Sequence, residues 1–296
     1  MEKAKYFIKK YVTIRNVLMV IFAGIFLYSA IYLGDYAIDS VRGKKQYDEL
    51  ANRVQQEQPN QPEPPTGELK DYFEGDEEAE DPDAAGPNGP YVEVTNPKTG
   101  EAFNILREYA PIYNMNSDTV GWIRIEGTRI NYPVMQTPDE PNYYLKRDFY
   151  KQDYRYGSIY AHETASMKPV SDNVTLYGHN MADGSMFADL HKYTDEEFYK
   201  EHPYITFDTL YSHQTYKIIA VLETTDWLAT GFAYHYFVDG DEGEFSDFIA
   251  ECKALSLYDT GESAVYGNKL LTLSTCDNDV SDSHGRFVVV AKKVSR

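Results

Sequence analysis

The chain has 296 residues, a formal net charge of −19, 27 tyrosines and two cysteines. At roughly 150 residues per domain, that length allows one or two domains, and 42% apolar with 15% aromatic residues supplies a core, so disorder along the whole chain is excluded. A pI near 4.7 argues against a surface that neutralises phosphates, so no nucleic-acid partner is expected, and two cysteines make neither a disulfide framework nor a four-thiolate zinc site.

Charge is unevenly spread. Residues 1–45 hold eight Lys/Arg against three Asp/Glu, residues 46–90 hold two against thirteen, and the remainder carries −13. Residues 1–13 read as a cytoplasmic tail and residues 14–34 as a transmembrane signal anchor. The run VLMVIFAGIFLYSAIYL from Val17 to Leu33 has no charge and, with Ile14 and Gly34, approaches the about 20 residues that span a bilayer. Lys3, Lys5, Lys9, Lys10 and Arg15 precede it and Asp35 and Asp39 follow, which predicts a single-pass protein of the cell membrane, N-terminus cytoplasmic and the rest outside. The run exceeds a signal-peptide core and no clean A-x-A site follows.

Residues 35–90 read as an extracellular linker. Its segments QPNQPEPP and EGDEEAEDPDAAGPNGP have almost nothing to bury, so from residue 46 on like charges would keep it extended. Residues 91–296 form the remaining, folded unit. There GWIRI and RINYPVMQ, separated by EGT, read as a hairpin, and GSIYAH, NVTLYGHN, YITFDTL, QTYKIIAVLETT, KLLTLSTC and RFVVVAKKV read as further strands. About eight strands in under 200 residues predict an all-β fold with added helices, closed into a barrel because closure removes exposed edges. Helices are expected at Ala102–Asn114, at Ser185–Tyr193 and in EFSDFIAECKALSL, where Phe245, Phe248, Ile249, Cys252 and Leu255 share one face.

Three polar groups fall at strand ends, where a rigid barrel can hold a site. Cys276 closes the apolar strand KLLTLSTC and is followed by the polar run DNDVSDSHG. His179 closes NVTLYGH, and Arg286 opens RFVVVAKKV. A thiol of ordinary pKa about 8.5 is little ionised at neutral pH and acts as a nucleophile only beside a base or cation. His284, near Cys276 in sequence, is a competing base, and Asp277 is an ordinary strand-exit residue. Cys252 lies on the apolar helix face and reads as core. The other histidines show no metal-ligand spacing, so neither metal nor cofactor is expected.

These motifs resemble the sortases, membrane-anchored cysteine transpeptidases of Gram-positive bacteria. TLSTC at 272–276 is similar to the family's TLxTC strand, YGHN at 177–180 to its histidine motif, and Arg286 in GRFVVVAK to its arginine, all behind an N-terminal anchor. The helical insertion between His179 and Cys276, LSTC in place of TCTP, and the short interval from Cys276 to Arg286 make the resemblance strongest to class B. It implies an eight-stranded sortase-like β-barrel and a catalytic set of His179, Cys276 and Arg286. Cys276 would cleave an LPxTG- or NPxTN-like sorting signal after its threonine through a thioester, with sorting-signal-bearing surface proteins as donors. A peptidoglycan cross-bridge amine, or a pilin amine, would be the acceptor. By the same resemblance Tyr177, Ser274, Leu145, Asn142, Trp227 and Leu228 would bind substrate, the last two where the family often has Tyr-Ile.

Papain-like and NlpC/P60 peptidases place cysteine before histidine, and L,D-transpeptidases carry arginine where this chain has Asn278, so both fit worse. The remaining alternatives are a pilin-polymerising sortase and a surface-anchored, non-enzymatic barrel that binds wall or host ligands. The latter accounts for anchor, spacer and barrel but not for His179, Cys276 and Arg286 arriving together at strand ends.

Overall fold

The computed structural model describes residues 13–57, 89–225, 232–276 and 285–294. Helix α1 (Ile14–Glu57) is a single element of 44 residues, and it is long and apolar enough to cross a membrane. The expected anchor is thus helical, but the helix continues through residues that the sequence alone places in an extended linker. The reason lies in its last turns. Tyr47, Leu50 and Val54, spaced three and four apart, form a buried stripe within an otherwise acidic stretch, and tertiary packing of such a stripe stabilises a helix that charge alone would leave extended.

The chain divides into two compact units, residues 1–46 and residues 47–296. The second is built on a closed barrel with strand order β10-β8-β7-β3-β4-β5-β6-β9. Its strands are β3 (Thr119–Arg124), β4 (Asn131–Met135), β5 (Ile159–Ala161), β6 (Asn173–Tyr177), β7 (Tyr204–Thr209), β8 (Thr215–Thr225), β9 (Leu270–Cys276) and β10 (Gly285–Val294). All eight correspond to segments read as strands from the sequence. Neighbours pair antiparallel except β4 with β5 and β6 with β9, which are parallel. Two shorter strands, β1 (Tyr91–Thr95) and β2 (Ala102–Leu106), form a separate hairpin. The helix expected over Ala102–Asn114 is therefore corrected. Its first five residues pair with β1, a short 3-10 turn follows, and only α2 (Ala110–Met115) is α-helical. The segment after GHN also differs, forming a 3-10 helix over Ala188–Thr194.

The central residues of strands β8, β9 and β10 are buried without alternation, because both of their faces are covered. One face fills the barrel. The other meets α4 (Glu242–Leu255), whose Phe245, Phe248, Ile249 and Cys252 pack on Leu222, Leu270, Val288 and Val290. Each phenylalanine so buried contributes about 2–3 kcal/mol. The helix starts at a capping box, in which Asp241 accepts from the Glu244 backbone N–H and the Glu244 side chain accepts from that of Asp241. Leu255, expected on the same face, is 36% exposed at the helix end. Burial pushes the Cys252 thiol far above its ordinary pKa, which suits an inert core residue. A second, shorter helix, α3 (Glu196–Glu201), precedes β7.

Candidate active site

The register of the barrel decides which side chains meet. Cys276 and Arg286 are Cα partners across the antiparallel pair β9–β10. On the other side of β9, parallel pairing matches Tyr177 with Ser274, and the Gly178 N–H still donates to the Ser274 carbonyl at 3.2 Å. Beyond that bond the chain leaves the ladder, and the next residues keep His179 near the end of β9, the Asn180 side chain donating to the Cys276 carbonyl at 3.1 Å. Cys276 and Arg286, ten residues apart, are thereby carried to one rim with the distant His179. Cys276, Arg286 and His179 are all half-buried, and both cysteines are free thiols.

The imidazole of His179 is held by a turn. Its Nε2 lies 2.8 Å from the backbone carbonyl of Leu145. A carbonyl only accepts, so Nε2 carries the proton and Nδ1 is the ring atom left to exchange one. The Leu145 carbonyl is itself fixed by a tight approach of backbone to backbone. Gly157 has φ +60°, and a Cβ there would sit 2.5 Å from that oxygen and 2.7 Å from the Tyr144 carbonyl, so only glycine allows the turn. The Tyr144 hydroxyl ties the same turn to the body of the domain, donating to Asp118 Oδ2 at 3.0 Å and accepting from Asn116 Nδ2 at 2.8 Å. Burial alone would raise the Asp118 pKa, but Lys151, Lys98 and Tyr144 hold it below the usual carboxylate range. From α1, the Tyr47 hydroxyl lies 3.2 Å from both the Gly157 carbonyl and Ser158 Oγ, and so braces the turn from behind.

The substrate-binding candidates divide in two. Tyr177, Ser274, Leu145 and Asn142 come together near the rim. Tyr177 packs its ring on Tyr160 (5.3 Å between centroids), and the Tyr160 hydroxyl donates to Asn142 Oδ1 at 2.9 Å. Ser274 Oγ is 2.6 Å from the Tyr234 hydroxyl. Trp227 and Leu228 lie outside the described residues, as do Asp277, Asn278 and His284. Tyr160, Tyr234 and Glu163 were not singled out in the sequence. Burial pushes the hydroxyls of Tyr160 and Tyr177 well above their ordinary pKa; at Tyr160 the charges of Glu163 and Cys276 add to this, and Arg286 opposes it at both. Both phenols are thus held in the neutral form. Period-two alternation in GSIYAH marks Tyr160 as a strand position but gives no sign that its neighbour is Tyr177. Tyr234 reaches Ser274 through the long insertion, and no local pattern predicts that.

Fold and rim define a class, the closed eight-stranded β-barrel that brings a histidine, a cysteine and an arginine to one edge. A family model described as the sortase domain matches residues 123–294. The chain is 34% identical over 203 residues to sortase B of Listeria monocytogenes, covering 69% of this chain and 79% of that protein. Among solved structures, sortase B from B. anthracis in complex with AAEK1 is 28% identical, with TM-score 0.63 over 88% of this chain and 99% of that one. A sortase B complexed with triglycine is 31% identical, with TM-score 0.58 over 64% and 86% of the two chains. The chain belongs to the sortase family and within it is most similar to sortase B, which makes it a sorting-signal transpeptidase.

Proposed function

We propose that the chain is a membrane-anchored cysteine transpeptidase whose nucleophile is Cys276. The thiolate attacks the carbonyl carbon of the threonine in an LPxTG- or NPxTN-like signal. The charge that develops on the carbonyl oxygen is met by Arg286, a permanent cation and multiple donor. As the tetrahedral intermediate collapses, the C–N bond breaks and His179 gives its Nδ1 proton to the departing amine. A thioester on Cys276 remains. An incoming amine then loses a proton to His179, attacks the thioester carbonyl and expels the thiolate, so the proton and the nucleophile are both restored.

The observation that carries this reading is the register that sets Arg286 opposite Cys276, with His179 close by because its neighbour Asn180 donates to the Cys276 carbonyl. The tether of His179 Nε2 to the Leu145 carbonyl supports Nδ1 as the proton-transfer atom. We place the substrate groove along Tyr177, Ser274, Leu145 and Asn142, with Trp227 and Leu228 completing it. The complex of a relative with triglycine supports an amine-ended peptide as acceptor, which for this chain is a peptidoglycan cross-bridge. Residues 1–13 face the cytoplasm, residues 14–34 cross the membrane, and residues 35–90 hold a catalytic domain of residues 91–296 outside the cell; the basic residues before the span support this orientation.

The test uses the full chain in detergent with a library of sorting-signal peptides, offered triglycine or a lysine side-chain amine. Cleavage after threonine with transfer to triglycine is the expected result. Transfer to the lysine amine alone would point to pilin polymerisation, and no cleavage of any peptide would contradict the enzymatic reading.

A further inference from the structure

The ladder between β6 and β9 stops just short of Cys276. In a parallel pair, the bond from Gly178 N–H to the Ser274 carbonyl would be followed by one from the Asn180 N–H to the Cys276 carbonyl. The chain turns away instead. The His179 carbonyl accepts from the Phe187 N–H at 2.9 Å, and Asn180 pairs with Met186 in an isolated antiparallel bridge. The side chain of Asn180 fills the missing rung, its Nδ2 donating to the Cys276 carbonyl at 3.1 Å.

A second side chain joins it. His191, from the 3-10 helix Ala188–Thr194, places Nε2 at 3.0 Å from Asn180 Nδ2 and 3.3 Å from the same Cys276 carbonyl. Its ring lies over Phe287, 4.5 Å between centroids, one residue beyond Arg286. If Nε2 is unprotonated it accepts the second amide hydrogen of Asn180; if protonated it donates to the carbonyl directly. Either way a donor rests on the Cys276 carbonyl, and one cluster touches the residues next to His179 and Arg286 together with Cys276 itself.

We propose that Asn180 and His191 are positioning residues, a side-chain clamp that replaces the last rung of the β6–β9 ladder and aims Cys276 Sγ at the substrate carbonyl. The proposal rests on the reading of Cys276 as nucleophile. A clamp on the backbone next to the nucleophile controls the direction of attack rather than substrate affinity, and small misplacements of a reacting atom have large kinetic effects.

The experiment is done on the full chain in detergent with Asn180→Ala, Asn180→Asp, His191→Ala and His191→Gln. Acylation of Cys276 by a sorting-signal peptide is compared with its modification by methyl methanethiosulfonate, a small reagent with no demand on approach geometry. Asn180→Ala and Asn180→Asp are expected to slow acylation by roughly tenfold or more. KM for the peptide, the rate with the small reagent and the melting temperature should all stay near wild type. His191→Ala should slow acylation less, and His191→Gln, which returns an amide donor, should recover most of that loss. Variants that acylate at the wild-type rate, or that lose reactivity with both reagents in parallel, would overturn the clamp. Wild-type protein that the small reagent modifies but no signal peptide acylates would instead defeat the nucleophile assignment itself.

Discussion

The two ends of strand β8 use polar side chains in opposite ways. At its start, in the β7–β8 hairpin, His213 lies between two carboxylates, with Nδ1 at 2.8 Å from Asp208 and Nε2 at 3.1 Å from Glu108, while the Tyr109 hydroxyl donates to Asp208 at 2.7 Å. Ten residues of extended strand later, roughly 30 Å away, Thr224 pairs with Arg286, which in turn pairs with Cys276. There three of the polar side chains bond to backbone carbonyls: His179 to Leu145, Asn180 to Cys276, and Arg286 Nη1 to Gly285. The hairpin consumes both ring nitrogens of its histidine in ion pairs, which fixes structure. The rim anchors one nitrogen of His179 to a neutral acceptor, and in the proposed mechanism the other transfers the proton. The two half-buried histidines differ in what the second nitrogen meets, which is why we propose a structural role for His213 and a chemical one for His179.

Changes at the rim should therefore abolish turnover with little effect on folding, and changes at the hairpin should do the reverse. The largest effect is expected for His179→Ala and Arg286→Lys, with turnover of a signal peptide lower by on the order of 10²–10⁴ and a melting temperature close to wild type. Wild-type turnover in either variant would break the contrast at once. Gly157→Ala crosses the two categories. Its Cβ presses on the Leu145 and Tyr144 carbonyls in a backbone conformation that alanine rarely adopts, so we expect about 1–3 kcal/mol of stability to be lost. Turnover should fall about tenfold as the acceptor of His179 shifts, measured by denaturant titration and peptide cleavage on the same preparation.

At the hairpin, burial would lower the His213 pKa, but Asp208 and Glu108 raise it from 6.5 to about 10. A raised folded-state pKa gives stability that is fully present below about pH 6.5 and is lost as pH rises through about 10. His213→Gln should cost about 3 kcal/mol at pH 6, with the gap to wild type closing by pH 10, and turnover should not change. A constant gap across that range would show that charge is not what the histidine supplies. Tyr144→Phe is the mildest test. It removes the donor that tethers the Leu145 turn to Asp118, and a loss of about 1 kcal/mol with a two- to threefold drop in turnover, each roughly estimated, is the expected outcome.

The barrel was legible in the sequence because strands covered on both faces read as plain apolar runs, such as LLTLS in β9 and FVVVA in β10. The rim residues were legible because each sits where such a run gives way to polar residues. What local pattern misled on was periodicity shared between states. Phe103, Leu106, Tyr109 and Tyr113 recur at helical spacing, yet Ala102–Leu106 is drawn into a strand by pairing with Tyr91–Thr95. In the acidic stretch after residue 45, charge hid the three buried positions Tyr47, Leu50 and Val54 that keep α1 helical to Glu57. Contacts made through long insertions, Tyr234 with Ser274 and Tyr160 with Asn142, leave no trace in any window of sequence. The same holds for Glu108, which meets His213 from 105 residues away, whereas Asp208 lies five residues before it in the same hairpin.

The most direct test of the account is the covalent intermediate. The full chain in detergent, incubated with a sorting-signal peptide in the absence of an amine acceptor, should gain by intact mass the acyl fragment ending in threonine. The adduct should map to Cys276, be released by hydroxylamine, and be absent in Cys276→Ala protein that melts as wild type does. Signal cleavage that proceeds in Cys276→Ala, or an adduct that maps to Cys252, would contradict it.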